Sequence, residues 1–394
     1  MPAIPSRLLS SLAISLGVAL WTASPARAVA PEIAAYYDGS TPVSSLPAGK
    51  LDYLFYAFGE PDDHDLCAPP TPEQLKLFAG LRQLRAGHPR LHLLISIGGW
   101  GQAPQYSDLA LTAASRTAFA ASCIRQFVTE QAFDGLDLDW EFPVHGGLNK
   151  SRPQDRDDAT SLVQELRRQL DALGAKDHRH YDLTLAVPAG TWQQGGAYSV
   201  SDSYELKAIA TSADWLNVMT YDMNNIFSPY SGFNAPLHAD PSDPTPEPQR
   251  SRDNLDGAVR YFESQGVPAD KIMLGVAFYG RGFSGVSPQD AGLYSKYQGG
   301  FDETPWKTVR TQFLTDKAWA RHWSMSAGAP WLYNPGKRVF FSYDDPQSMG
   351  IKASFIVSRG LKGAVIWELG EDDPQASLLD ALISGSGPRG TPHP

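Results

Sequence analysis

Residues 133–143 read F-D-G-L-D-L-D-W-E-F-P. Side chains on a strand alternate faces. Asp137, Asp139 and Glu141 therefore share one face, and Leu136, Leu138 and Trp140 share the other. Stacked like charges raise one another's pKa, so at least one of these acids is expected to hold a proton near neutral pH. Packing does not favour such a row, and its cost points to chemistry. Three readings compete. A solvated acidic strand is the plainest, but Leu136, Leu138 and Trp140 fix which face is buried. A divalent cation such as Mg²⁺ or Ca²⁺ suits carboxylates. No His or Asn ligand set accompanies the row, however, so no metal is expected. The third reading is proton transfer by the terminal acid, Glu141, whose proton its acidic neighbours help to hold.

The elements that must position these acids follow a rhythm. Short β-branched or aromatic runs at 32–37, 51–58, 92–98, 135–141, 184–187, 216–221, 272–278 and 364–368 read as strands. Helical patterns at 72–86, 113–131, 159–173, 205–211, 255–265 and 346–359 lie between them. Thr71-Pro72-Glu73 is a strong helix start: a capping oxygen, a ring suited to the first turn, and a negative charge at the positive end of the dipole. Strands separated by helices give a parallel sheet, and eight of them point to a closed (β/α)₈ TIM barrel. In a barrel, Leu136, Leu138 and Trp140 meet the surrounding helices. The acids then point inward, with Glu141 at the C-terminal end where barrel enzymes place their sites. Two segments break the rhythm. Residues 222–250, rich in Pro, Ser and Asp, read as a long loop. Residues 282–345 are too long for a βα loop and read as a small inserted α+β subdomain before the last helix–strand unit.

With these residues in place, the chain resembles the family 18 glycoside hydrolases, the chitinases. Asp134, Asp137, Asp139 and Glu141 match that family's D-x-x-D-x-D-x-E. Ser96-Ile97-Gly98-Gly99 resembles its S-x-G-G, and Met219-Thr220-Tyr221-Asp222 its M-x-Y-D. Tyr56-Ala57-Phe58 and Ala186-Val187-Pro188-Ala189 resemble its second and fifth strands. The stretch from Gly275 to Arg281 resembles G-x-x-F-Y-G-R. Ser342-Tyr343-Asp344-Asp345-Pro346 and the run from Gly363 to Glu368, with Trp367, are also family-like. The resemblance covers residues 33–383. One departure is Ala35, where Gly often precedes the tyrosine of the first strand.

The resemblance implies both the barrel and the insertion before its last strand. It also implies retaining hydrolysis of β-1,4 links between N-acetylglucosamine units, in which the substrate's own 2-acetamido group replaces the usual second carboxylate. Glu141 would be the acid and then the base. Asp139 would orient the acetamido group, Asp137 would assist Asp139, and Tyr221 would donate to the acetamido oxygen. Met219, Asp222 and Arg281 would line the sugar site, with Trp367 as its floor. Trp100, Tyr36 and Phe58, at strand ends or in the loop after the third strand, are expected to line the cleft. Ser96 is placed to hydrogen-bond an acid of the row, whereas Trp215 and Trp319 are expected in the core. The rivals are a catalytically dead lectin, which typically lacks the terminal acid, and an endo-β-N-acetylglucosaminidase, which usually lacks this insertion.

The rest of the chain bounds where such a protein works. The sequence has 394 residues, 33 Lys+Arg against 43 Asp+Glu and a net charge of -10. That balance supplies no positive field for nucleic acid. Arg7, the apolar run that follows it, and Ala26-Arg27-Ala28 have the order of a secretory signal. The expected organisation is a signal at 1–28, a catalytic domain at 29–383 and a flexible tail at 384–394. The expected product is a secreted monomer with no cofactor and no membrane contact after cleavage. Its partners, as the resemblance implies, are chitin and chito-oligosaccharides. Export permits a disulfide, and the two cysteines, Cys67 and Cys123, are either bridged or two buried thiols. Ten Trp and sixteen Tyr suit stacking against neutral sugars.

Overall fold

The computed structural model describes residues 30–387 except 103 and 192–199. The expected signal and the end of the expected tail lie outside the described residues. Eight parallel strands close a barrel: β1 (Glu32–Tyr37), β2 (Tyr53–Gly59), β3 (His92–Gly98), β4 (Gly135–Asp139), β5 (Asp182–Pro188), β6 (Trp215–Met219), β7 (Ile272–Ala277) and β13 (Gly363–Trp367). They follow one another around it in chain order, with β13 pairing both β7 and β1. A second, antiparallel sheet has the order β10-β11-β12-β8-β9. Its strands are β8 (Tyr279–Ser284), β9 (Gly299–Pro305), β10 (Ala320–Ser324), β11 (Ala329–Asn334) and β12 (Val339–Ser342). The insertion thus starts at Tyr279, earlier than expected, because β8 follows β7 after the single residue Phe278.

The lower barrel interior is an apolar plug that includes Phe55, Leu94, Trp215, Met273 and Val365. The outward faces, with Leu136, Leu138 and Trp140, pack against the helices. Trp140 is fully buried and stacks on Tyr106. Trp319 stacks on Phe313 at the core's edge, and Trp331 packs within the inserted sheet beside Phe233. At the barrel's N-terminal end a clamp recurs. The aspartate just before an even-numbered strand accepts the N–H of the preceding strand's second residue: Asp52 from Ile33, Asp134 from Leu93, Asp214 from Leu183.

Several expected boundaries shift. The fourth strand closes at Asp139 rather than at 141. Beyond Asp139, side chains take over from the ladder: the Tyr204 hydroxyl donates to the Trp140 carbonyl and Asn149 Nδ2 to that of Glu141. The sixth strand likewise closes at Met219, two residues short of Tyr221. The helix expected over 113–131 is α-helical only to Cys123 and continues as a π-helix over Ile124–Thr129. The expected tail begins inside a helix, Ser377–Gly385, which buries Leu378, Leu379 and Leu382. The helix from Pro72 is capped by the Thr71 oxygen as expected, and Gln74 completes a capping box that the expectation did not include. Cys67 and Cys123 form a disulfide, which ties the loop after β2 to the helix before β4.

Candidate active site

The acid row stands where β4 reaches the C-terminal mouth of the barrel. Register places Asp137 beside Ser96 of β3 and Thr184 of β5. Both neighbours point into the barrel and both are donors. Thr184 Oγ1 lies 2.5 Å and Asn217 Nδ2 3.1 Å from Asp137 Oδ1. Ser96 Oγ lies 2.7 Å and the Tyr36 hydroxyl 3.0 Å from Oδ2. Burial raises the Asp137 carboxyl, while these four donors pull it back.

Asp139 is also buried, but it is not satisfied. Its Oδ1 has no hydrogen-bond partner. Burial, then Glu141 and Asp137, hold its carboxyl well above the ordinary aspartate range. Glu141, two residues beyond the strand, is half-buried and faces a cleft of about 670 Å³. Burial pushes its carboxyl up to about 8, with Asp222 and Glu303 adding their repulsion. The row is therefore graded: one acid fully bonded, one short of a donor, and one holding its proton at the edge of the cleft.

All the other residues singled out by the sequence meet in that cleft: Tyr36, Phe58, Trp100, Met219, Tyr221, Asp222, Arg281 and Trp367. Phe58 stacks on Trp367 at 5.7 Å between ring centroids, and Tyr36 lies 5.4 Å from it. Trp100 is 40% exposed, on the rim. Arg281 grips Asp222 with two bonds, Nε to Oδ1 at 2.5 Å and Nη2 to Oδ2 at 2.7 Å. The Tyr279 hydroxyl also donates to Asp222. Burial first, then the acids, keep the Tyr221 hydroxyl protonated and available as a donor.

A family model described as glycosyl hydrolases family 18 matches residues 32–372. The chain belongs to glycosyl hydrolases family 18. Within family 18, Chitinase A1 of Niallia circulans is 38% identical over 302 residues, which is 74% of this chain and 42% of that protein. This chain thus spans less than half of that relative's length. Chitinase B of Serratia marcescens is 30% identical over 402 residues, covering 86% of this chain and 78% of that protein. A solved family 18 N-acetylglucosaminidase from Paenibacillus barengoltzii superposes with a TM-score of 0.80 at 32% identity, covering 90% of this chain and 99% of that one.

One acid of the family 18 motif stands apart. Asp134 precedes β4 at the opposite end of the barrel, where it accepts from Leu93 N–H and pairs with Arg85 and Arg179. Its place in the acidic spacing is that of a clamp, not of a cleft residue. Sequence reasoning also missed cleft residues. Glu303, on β9, lies 3.4 Å from Arg281 and carried no local motif. Ile226 and Phe227 line the cleft from the long loop after β6 and are about half exposed. Two adjacent apolar residues in a polar loop were a readable signal. Thr184 and Asn217 were readable too, as polar residues at inward positions of otherwise apolar strands.

Proposed function

We propose that this family 18 chain is a chitinase. It hydrolyses β-1,4 links between N-acetylglucosamine units with retention, the substrate's own 2-acetamido group acting as nucleophile. The observation that carries this reading is Asp139 Oδ1, buried without a partner two residues before Glu141, whose carboxyl burial pushes up to about 8. An unmet buried acceptor costs about 1–3 kcal/mol. A substrate N–H arriving at that oxygen removes the cost, and an acetamido group brings one.

The cycle follows from the charges. Glu141 gives its proton to the glycosidic oxygen as the bond to the anomeric carbon breaks. The acetamido carbonyl oxygen closes on that carbon, giving an oxazolinium ring. Asp139 accepts the acetamido N–H and balances the ring's positive charge. Asp137 takes the proton that the raised Asp139 carboxyl holds as the ring's charge develops, and returns it when the ring reopens, so Asp139 is a carboxylate while it balances the cation. Tyr221 donates to the acetamido oxygen and holds it on the line of attack. Glu141, now a carboxylate, takes a proton from water. The water attacks the anomeric carbon, reopens the ring and restores Glu141. Trp367 offers an aromatic face to the sugar ring, and the Asp222–Arg281 pair offers fixed polar atoms to its hydroxyls.

The same reading makes the protein a secreted monomer that acts on chitin and chito-oligosaccharides. It includes no nucleic-acid partner, no cofactor and no membrane contact after signal cleavage. The Cys67–Cys123 bridge supports export, because disulfides persist in oxidising compartments. Among the described residues no helix is long and apolar enough to cross a membrane. A second reading, release of single N-acetylglucosamine units, is favoured by the likeness to the P. barengoltzii enzyme. The time course of products from a defined chito-oligosaccharide tests both. Internal cuts support a chitinase, monomer from the first minutes supports the second reading, and an uncut substrate refutes both.

A further inference from the structure

The N-terminal end of the barrel holds a second group of ionisable side chains, separated from the acid row by the apolar plug around Trp215 and Phe55. Asp182 opens β5, and Asp214 immediately precedes β6, its neighbour in the barrel. His180 stands two residues before Asp182, in the run that leads into β5. Its Nε2 lies 2.8 Å from Asp214 Oδ1 and 3.9 Å from Asp182 Oδ1. One ligand atom from each of the three lies within 4.8 Å of the other two. Ligand atoms at the usual Zn²⁺ distances of about 2.0–2.2 Å in a tetrahedral site sit about 3.3–3.6 Å from one another. The two His180 separations bracket that spacing.

The remaining oxygens are fixed from outside. Asp214 Oδ2 accepts from Leu183 N–H at 2.8 Å and from Arg167 Nη1 at 3.2 Å. Asp182 Oδ2 lies 3.3 Å from His92 Nδ1. Each carboxylate thus has one oxygen fixed by an outer partner and the other facing His180, whose Nε2 hydrogen-bonds Asp214 Oδ1 in this structure. Such outer partners orient metal ligands. Of the nearest guanidinium groups, Arg179 pairs with Asp134, and Arg167 pairs with Asp171 while also holding the outer oxygen of Asp214. His180 is 57% exposed at its side chain, so an ion and a water have a way in.

We propose that His180, Asp182 and Asp214 bind a divalent transition-metal ion, one imidazole and two carboxylates completed by water, as a clip between β5 and β6. The donor set is mixed nitrogen and oxygen, which suits Zn²⁺ better than Mg²⁺ or Ca²⁺. The clip acts on stability. An ion that binds only the folded chain raises the melting temperature with its concentration.

The test uses chain free of affinity-tag histidines, stripped with a chelator and titrated with ZnCl₂ in a calorimeter, with thermal melts alongside. The expected result is one saturable Zn²⁺ per chain and a melting temperature that climbs with Zn²⁺. In His180→Ala, an exposed change that leaves the clamps intact, the direct ligand is gone. Both the binding and the climb should disappear. His92→Ala should weaken binding by roughly 10–100-fold, as expected for an outer partner. Hydrolysis by the chelator-stripped chain should be unchanged. No saturable Zn²⁺ binding into the millimolar range overturns the proposal. So does equal affinity in His180→Ala, which would place the ion elsewhere, for instance on the acid row.

Discussion

Asp139→Asn is the sharpest test of the proposed chemistry. The change is isosteric, and Asp139 Oδ1 has no internal partner to lose, so the fold should hold. What goes is the charge. In the proposed cycle Asp139 accepts the acetamido N–H and balances the oxazolinium cation. A hydrogen bond to a charged group is worth about 1.5–3 kcal/mol. A charge pair at about 4 Å is worth about 4 kcal/mol at an effective protein dielectric of about 20, a value that serves buried sites as well. The two overlap in one contact, so a combined loss of about 3–4 kcal/mol is the reasonable figure. That corresponds to roughly 10²–10³-fold in rate. The neutral amide still offers an oxygen to the substrate's N–H, so ground-state binding should survive. The loss should therefore fall on kcat, with KM little changed. The assay is steady-state release of a reporter from a chito-oligosaccharide, with circular dichroism to confirm the fold. A folded variant within tenfold of wild type would refute the charge-balancing role. A variant with raised KM and intact kcat would assign Asp139 to uniform binding instead.

Glu141→Gln should keep the fold and lose roughly 10²–10⁴-fold in kcat/KM; near-wild-type hydrolysis in the same assay would remove Glu141 from the acid role. Because Glu141 must be protonated to act, kcat/KM should fall as pH rises through its value, about 8. Glu303 contributes to that elevation. Glu303→Gln should therefore move the alkaline limb to lower pH, and an unmoved limb would deny the coupling. The Cys67–Cys123 bridge closes a loop with a sequence separation of 56. Replacing both cysteines by Ala should lower the unfolding free energy in urea by about 2–4 kcal/mol; no change would argue that the bond does not form in solution.

The barrel was legible because its strands announce themselves twice, by short apolar runs and by the helices between them. The acid row was legible because Leu136, Leu138 and Trp140 fix the strand's orientation. Other features depend on contacts that no local pattern records. The end of β4 is set by Tyr204 and Asn149, which reach the Trp140 and Glu141 carbonyls from other segments. Glu303 reaches the cleft only because the inserted sheet folds over the barrel mouth. The disulfide stayed open at the sequence level because nothing in either cysteine's neighbourhood fixes their separation. The fold fixes it, with a Cα–Cα distance of 5.1 Å.

What separates a structural aspartate from a chemical one in this molecule is whether its oxygens are already engaged. Asp134 and Asp139 both belong to the family 18 motif, five residues apart. Asp134 takes a backbone N–H and two guanidinium groups, and its carboxyl is held below the ordinary range. Asp139 is equally hidden but keeps an unmet oxygen, and its carboxyl is held above that range. A carboxylate that the protein has fully bonded gains little from a ligand. One buried without a partner gains most when a donor arrives, and it gains more still if that donor develops positive charge during the reaction. The spacing of the motif places four acids along one segment. Only the distribution of donors around them distinguishes the acid that clamps the barrel from the one suited to meet a substrate.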